Sequence, residues 1–259
     1  MYTKKEFEND IRALGITYGD TLFMHSSYKS LGKLSGGAEA FFDVLLSVLG
    51  NEGTLVLPTF SYRTVTKDEP YFSISKTPSC VGYLSNYFRC EVAGVKRSLH
   101  PTHSCSAIGK YRDFLLSSHE LDRVMVGENS PLRKLPSIDG KVLFLGCSPA
   151  HNTSMHGVEV LVNPPYLFHN SKESEYILDD GKSLHSCMMK RFTFVETGSV
   201  QRYERLIPHL NSNELTLGRI LDAECHLISA EAIWRKGEEI MRKNPFYFVD
   251  SPLNPKEQA

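Results

Sequence analysis

The chain has 259 residues, 41% of them hydrophobic and 23% charged, and a formal net charge of -1. Such a length suits one large domain with a full core, and the composition is that of an ordinary globular protein. Near-neutral charge offers no field for nucleic acid or an anionic membrane surface, and no segment approaches the roughly 20 apolar residues a bilayer span needs.

A first amphipathic helix is expected to open at Thr3 or Asn9, with Phe7, Ile11 and Leu14 on one face and Gly15 as its stop. Thr21 to Met24 reads as a short strand leading into His25-Ser26-Ser27 and a glycine-bearing loop. Ala38 to Leu49 has helical periodicity ending at Gly50, and Thr54 to Leu57 is the next buried strand, stopped by Pro58. Strand, loop, helix and strand in that order form a βαβ unit, the building block of a sheet covered by helices on both faces. Ser61 to Pro78 lacks a clear period and is expected to be a loop or lid. Helical patterns follow at Val81 to Arg89 and from Phe114, and a short one is capped near Gly127 to Leu132. Val142 to Leu145 is an apolar run ending at Gly146, the mark of a strand buried on both faces. A helix then starts at Asn152, Thr153 or Ser154 and ends at Pro164-Pro165. Beyond Tyr166 short apolar strands such as Arg191 to Val195 alternate with turns, before a closing helix from Ala230 to Lys243. The expected architecture is α/β, a single domain over 1–259 with a mixed central sheet flanked by helices, and with substrate loops near 61–80 and 165–190.

The helix after Val142–Leu145 carries the most chemistry. Thr153, His156 and Glu159 lie three apart, so their side chains neighbour one another along one face. A carboxylate one turn from an imidazole can hold its tautomer and raise its basicity, while the hydroxyl can reach a reacting group. The same spacing also suits a surface histidine with an adjacent carboxylate.

Two loops could hold a phosphate-bearing cofactor. After the first strand, Ser26 and Ser27 offer short hydroxyl donors, and Gly32, Gly36 and Gly37 let backbone N–H groups approach. Neither G-x-x-x-x-G-K-[ST] nor G-x-G-x-x-G occurs, which argues against a nucleoside triphosphate or NAD. The second loop, Arg97-Ser98-Leu99-His100-Pro101 with His103 and Ser104, adds a cation, hydroxyls and two imidazoles. Six cysteines (Cys80, Cys90, Cys105, Cys147, Cys187 and Cys225) show no C-x-x-C spacing, which argues against structural zinc and a disulfide framework. With no signal-like apolar core at the N-terminus, the expected compartment is the cytoplasm.

In order, His25-Ser-Ser27 with Leu31-Gly32 and Gly36-Gly37, Gly53 to Thr59, Arg97 to Pro101, Gly127 to Leu132, and Leu145-Gly146 with Asn152 to His156 and Glu159 resemble the aminoglycoside 3-N-acetyltransferase family. The resemblance implies an acetyl-CoA-dependent N-acetyltransferase, unrelated to the GNAT type, that transfers acetyl to an amine of an amino sugar or aminoglycoside and needs no metal. It also implies His156 as general base, Glu159 as its orienter and Thr153 as a hydroxyl near the thioester. Ser26, Ser27, Arg97 and Ser98, with His25, Leu31, Gly32 and Ser104, become the expected cofactor contacts. The expected partner is a small-molecule amine acceptor, not nucleic acid or membrane; a homodimer is compatible with the sequence. After Pro165 the chain departs from the drug-modifying pattern, and its ending looks more like members found with surface-polysaccharide biosynthesis. Arg202, Arg205 and the basic last helix would favour an anionic group on the acceptor, whereas Asp68, Glu69, Asp179 and Asp180 could instead build an acidic cleft. The competing classes are an acyl hydrolase using Cys147 or Ser26, and a non-catalytic CoA- or sugar-binding protein.

Overall fold

The computed structural model describes residues 1–254. Helix α1 (Lys4–Ala13) starts at Thr3, whose hydroxyl accepts the Glu6 N–H while the Glu6 carboxylate accepts the Thr3 N–H. Both orphan donors are thereby satisfied, so Thr3 and not Asn9 opens the helix. Strand β1 (Thr21–Ser26), helix α2 (Gly37–Leu49) and strand β2 (Thr54–Pro58) form the expected βαβ unit, with β1 and β2 parallel. Within the expected loop after it, Tyr71–Ser73 pairs as a short strand, β3. Helix α3 (Tyr83–Glu91), strands β4 (Lys96–Arg97) and β5 (Cys105–Gly109), helices α4 (Arg112–Leu116) and α5 (Pro131–Lys134), and strand β6 (Lys141–Leu145) follow.

Helix α6 (Ser154–Val162) ends at Asn163, which takes the left-handed conformation that asparagine tolerates and returns its N–H to the Glu159 carbonyl. Strands β7 (Glu173–Asp179), β8 (Leu184–Lys190) and β9 (Val200–Gln201) come next, then β10 (Leu215–Ile220), β11 (Ala223–Ser229), α7 (Ala230–Lys243) and β12 (Val249–Asp250). The expected strand over Arg191 to Val195 is corrected: these residues form no strand. Their alternating apolar side chains pack instead on aromatic rings, Phe192 and Phe194 on His156 and Phe194 also on Tyr166.

Seven strands form the main sheet in the order β10-β11-β6-β1-β2-β5-β4. The central β6-β1-β2 pairings are parallel and the outer ones antiparallel, so the sheet is mixed. Side chains alternate across it. Leu22, Met24, Leu55, Leu57, Leu143 and Leu145 enter one core with Phe7, Phe41 and Phe88 from α1, α2 and α3. Phe23, Val56, Val142 and Phe144 enter the opposite core with Leu132, Met155 and Trp234 from α5, α6 and α7. Burial on both faces explains why these strands read as continuous apolar runs.

Three packing details position the site. A Cβ on Gly157 would stand 2.1 Å from the Trp234 ring, so only glycine lets α6 approach α7 this closely. A second sheet, β3-β7-β8, has its own small core of Val65, Phe72, Tyr176, Leu178, Cys187 and Met189. Pairing of β9 with β12 sets Val249–Asp250 beside Val200–Gln201, next to the site.

Candidate active site

The carboxyl ends of β1 and β2, the segment after β6 and the start of α6 open on a cleft of about 620 Å³. That is where open α/β sheets place ligands. His25, Ser26, Thr153 and His156 line its floor. Tyr176, Met189 and Lys190 from the second sheet and Phe192 and Phe194 from the segment beyond it form a wall.

His156 Nδ1 lies 3.0 Å from Glu159 Oε2, and the Tyr203 hydroxyl sits 2.8 Å from the same nitrogen and 2.7 Å from the same oxygen. The Tyr203 proton has the carboxylate as its better acceptor, so Nδ1 keeps its own proton and shares it with Glu159. In this tautomer Nε2 is the nitrogen that can accept a proton, on a side chain that is 18% exposed and lines the cleft. Glu159 is fully buried, and its second oxygen accepts the Tyr166 hydroxyl at 2.9 Å. Burial, then the neighbouring Glu159 charge, push both tyrosines up, so they stay protonated donors. A buried carboxylate with three donors is the arrangement that makes its burial tolerable.

Spacing alone brought Thr153, His156 and Glu159 together. It gave no sign of Tyr166, which follows the helix-ending prolines, or of Tyr203, 44 residues beyond Glu159. Thr153 stands at the N-cap of α6, and the Asn152 side chain just before it accepts the Ser154 N–H at 3.2 Å. Thr153 makes no cap bond, and its hydroxyl has only a 3.5 Å contact with the His151 carbonyl, leaving it available to the cleft.

Of the expected cofactor contacts, His25 and Ser26 reach the cleft. The others do not line it. Ser27 is bonded to Ser30, and Leu31 is fully buried in the core. Gly32 has positive φ and backs onto Tyr2 and Asp222, where a Cβ would stand 2.3 Å from a carboxylate oxygen. Arg97 is an internal clamp. Its guanidinium donates to Ser104 Oγ and to the carbonyls of Thr59, Ile74 and Thr77, and lies over the Phe72 ring. Ser98 accepts the Cys105 N–H and bonds His119, and Ser104 donates to the Thr59 carbonyl. The donors of Arg97 and the hydroxyls of Ser98 and Ser104 are thus bonded within the protein, joining β4 and β5 to the segments after β2 and β3.

The charges expected to shape the acceptor region are also placed elsewhere. Arg202 and Arg205 both pair with Asp250, and the cations of α7 pair with glutamates. Asp179 accepts the Tyr71 hydroxyl and Asp180 is bonded to His185, so neither builds an acidic cleft. The cleft is instead lined by Lys190 and Arg191, which form no salt bridge among the described residues, with Glu196 the lining carboxylate.

Cys147 lines the cleft, but burial pushes its thiol up to about 12, which leaves it without the thiolate a nucleophile needs. Among the described residues, no group of three or more His, Cys, Asp or Glu is arranged to hold a metal, and no helix is long and apolar enough to cross a membrane.

The family model for aminoglycoside 3-N-acetyltransferases matches residues 23–242. An aminoglycoside N(3)-acetyltransferase III from Salmonella sp is 31% identical over 282 aligned positions, covering 100% of this chain and 97% of that protein. The prophage-derived aminoglycoside N(3')-acetyltransferase-like protein YokD of Bacillus subtilis is 28% identical, covering 88% of each chain. Among solved structures, a variant of the aminoglycoside acetyltransferase AAC(3)-IVa in complex with a gentamicin superposes with a TM-score of 0.80 at 25% identity, covering 99% of this chain and 93% of that one. The fold, the carboxylate-held histidine at the cleft and these matches make the chain a member of the aminoglycoside 3-N-acetyltransferase family, an acetyltransferase of that kind.

Proposed function

We propose that the chain transfers acetyl from acetyl-CoA to an amine of an amino sugar, with His156 as general base. The observation that carries this reading is the Tyr166–Glu159–His156–Tyr203 arrangement, which engages one imidazole nitrogen and leaves the other without a protein partner among the described residues. When bound, acetyl-CoA supplies an acetyl thioester. The residues present fit its arm: Ser26 and Thr153 offer hydroxyls, and His25, on the cleft floor, holds in Nε2 a buried polar atom without a hydrogen-bond partner among the described residues. An amine attacks only through its lone pair, so His156 removes its proton as the new N–C bond forms. Phe192 and Phe194, packed on the His156 ring, keep that ring oriented and exclude water from it.

Lys190 and Arg191 bear on the acceptor. A site for a polycation concentrates carboxylates, whereas two cations without ion pairs suit an acceptor with fewer positive charges and an anionic substituent, such as a phosphorylated or nucleotide-linked amino sugar.

Acetyl-CoA at about a hundred times its dissociation constant should stabilise the fold by about 2.7 kcal/mol, raising the melting temperature by roughly 5–10 °C. Calorimetry with CoA, followed by thiol-release assays on gentamicin-type and phosphorylated amino-sugar acceptors at low and high salt, tests both parts. No CoA binding at millimolar concentration rules the cofactor out. A large preference for the polycation, with rates that fall as salt rises, rules the anionic acceptor out.

Replacement of Glu159 separates orientation from stability. In Glu159→Gln the new side-chain amide would donate to Nδ1 and move the ring proton to Nε2, so this variant should lower kcat, by less than loss of the imidazole, while melting near the parent. Glu159→Ala should cost about 3 kcal/mol, because two buried tyrosine hydroxyls and the imidazole lose their acceptor. Parental turnover in the glutamine variant would show that the ring needs no carboxylate to hold its tautomer.

A further inference from the structure

His103 is a second imidazole on the same cleft, on the loop before β5, and the reading above leaves it unused. Its ring is 5% exposed, packed on Phe60 at 4.7 Å and stacked on Tyr62 at 5.6 Å between centroids. The turn that carries it is locked by His100, whose Nδ1 accepts the backbone N–H groups of Thr102 and His103 at 3.3 and 2.9 Å. Since that nitrogen accepts, His100 carries its proton on Nε2 and donates it to the Val124 carbonyl at 3.2 Å. His103 Nδ1 in turn lies 3.0 Å from the Thr102 hydroxyl, which has no other hydrogen-bond acceptor among the described residues. With the hydroxyl donating to Nδ1, the tautomer used below, the ring proton of His103 sits on Nε2. That nitrogen has no protein partner and is not among the buried unpartnered atoms, so it opens on the cleft. Burial first, then the fields of His100 and His156, push the His103 imidazole well below the usual histidine range, which keeps it neutral and places it within electrostatic reach of the base.

We propose that His103 is a catalytic hydrogen-bond donor: its neutral Nε2–H points at the acetyl carbonyl oxygen and stabilises the negative charge that develops there during attack. This rests on the acetyl-transfer reading. In the balanced reaction the N–C bond forms, the C–S bond breaks, the amine proton passes to His156, and the thiolate leaves and is protonated from His156 or solvent. His103 gives up no proton. A neutral donor suits this role because it is fixed before the charge appears and needs no reorganisation. The two imidazoles divide the work, one accepting a proton from the amine and one donating a hydrogen bond to the carbonyl.

The test compares His103→Phe and His103→Leu, which fill the site without a donor, with His103→Gln, which retains an N–H. CoA affinity and melting temperature serve as controls on folding. The Phe and Leu variants should lose about 10² to 10³ in kcat with little change in KM, and the Gln variant should recover part of it. A second readout does not depend on turnover: the infrared carbonyl stretch of carbon-13-labelled acetyl-CoA, bound without acceptor, should lie below that of the free compound and return towards it in the donor-free variants. Near-parental kcat in a donor-free variant, or a carbonyl band that does not respond to the substitution, overturns the role of His103 alone. A parent enzyme that acetylates no amine takes the whole reading down with it.

Discussion

His156→Ala should reduce acetyl transfer by about 10² to 10⁴-fold, the range of a general base, while CoA affinity and folding stay near the parent's. The ring is 18% exposed at the cleft, and its removal takes away contacts with Phe192, Phe194 and Tyr203 without opening the core under the sheet. Glu159 would keep both tyrosine donors, so no buried carboxylate is stranded. The loss should be largest at pH values below the acceptor amine's own pKa, where most of the amine is protonated and a base does most for attack. Initial rates at saturating acetyl-CoA, together with calorimetric CoA affinity, are the measurements. Near-parental turnover at low pH would remove His156 from the mechanism.

Acid should destabilise the fold steeply through its buried histidines. Burial lowers His25 to about 3 and His100 to about 4, and holds His103 and His119 well below the usual value of 6.5. Each binds a proton in the unfolded chain at a pH where the folded protein leaves it neutral. Their contribution is therefore fully present above pH 6.5 and is lost as the pH falls from there towards the folded values, at about 1.4 kcal/mol per pH unit for each histidine. Four such groups give an upper slope of about 5 kcal/mol per pH unit, large against a typical stability of 5–15 kcal/mol. Buried Asp122 works in the opposite direction, since burial raises its carboxyl, but it offsets at most one proton. Chemical denaturation from pH 7 to 4.5 should show uptake of several protons on unfolding. A stability that is flat across that range would mean the four rings are not held neutral.

The elements that were legible are those whose signal is local. The apolar face of α1, the apolar run of β6, the Gly50 stop of α2 and the closing helix α7 each depend on residues within a few positions of one another. The histidine and carboxylate of the site were legible for the same reason, because three residues along a helix bring two side chains together whatever surrounds them. Strand β3 was not, since three residues in a polar segment acquire strand character only by pairing with β7, about a hundred residues away.

What the sequence determined by itself was the β1-α2-β2 unit, strand β6, helices α6 and α7, the family, and the His156–Glu159 pair. The tertiary structure alone decided which polar residues line the cleft. Arg97, Ser98 and Ser104 look like a phosphate loop in one dimension, yet the carbonyls of Thr59, Ile74 and Thr77 arrive from other segments and take up the arginine's donors. In the same way Arg202 and Arg205 are paired with Asp250, while Lys190 and Arg191 line the cleft and form no salt bridge among the described residues. The physical reason is that a hydrogen-bonding group has few valences, and packing, not type, determines whether the protein or a ligand fills them.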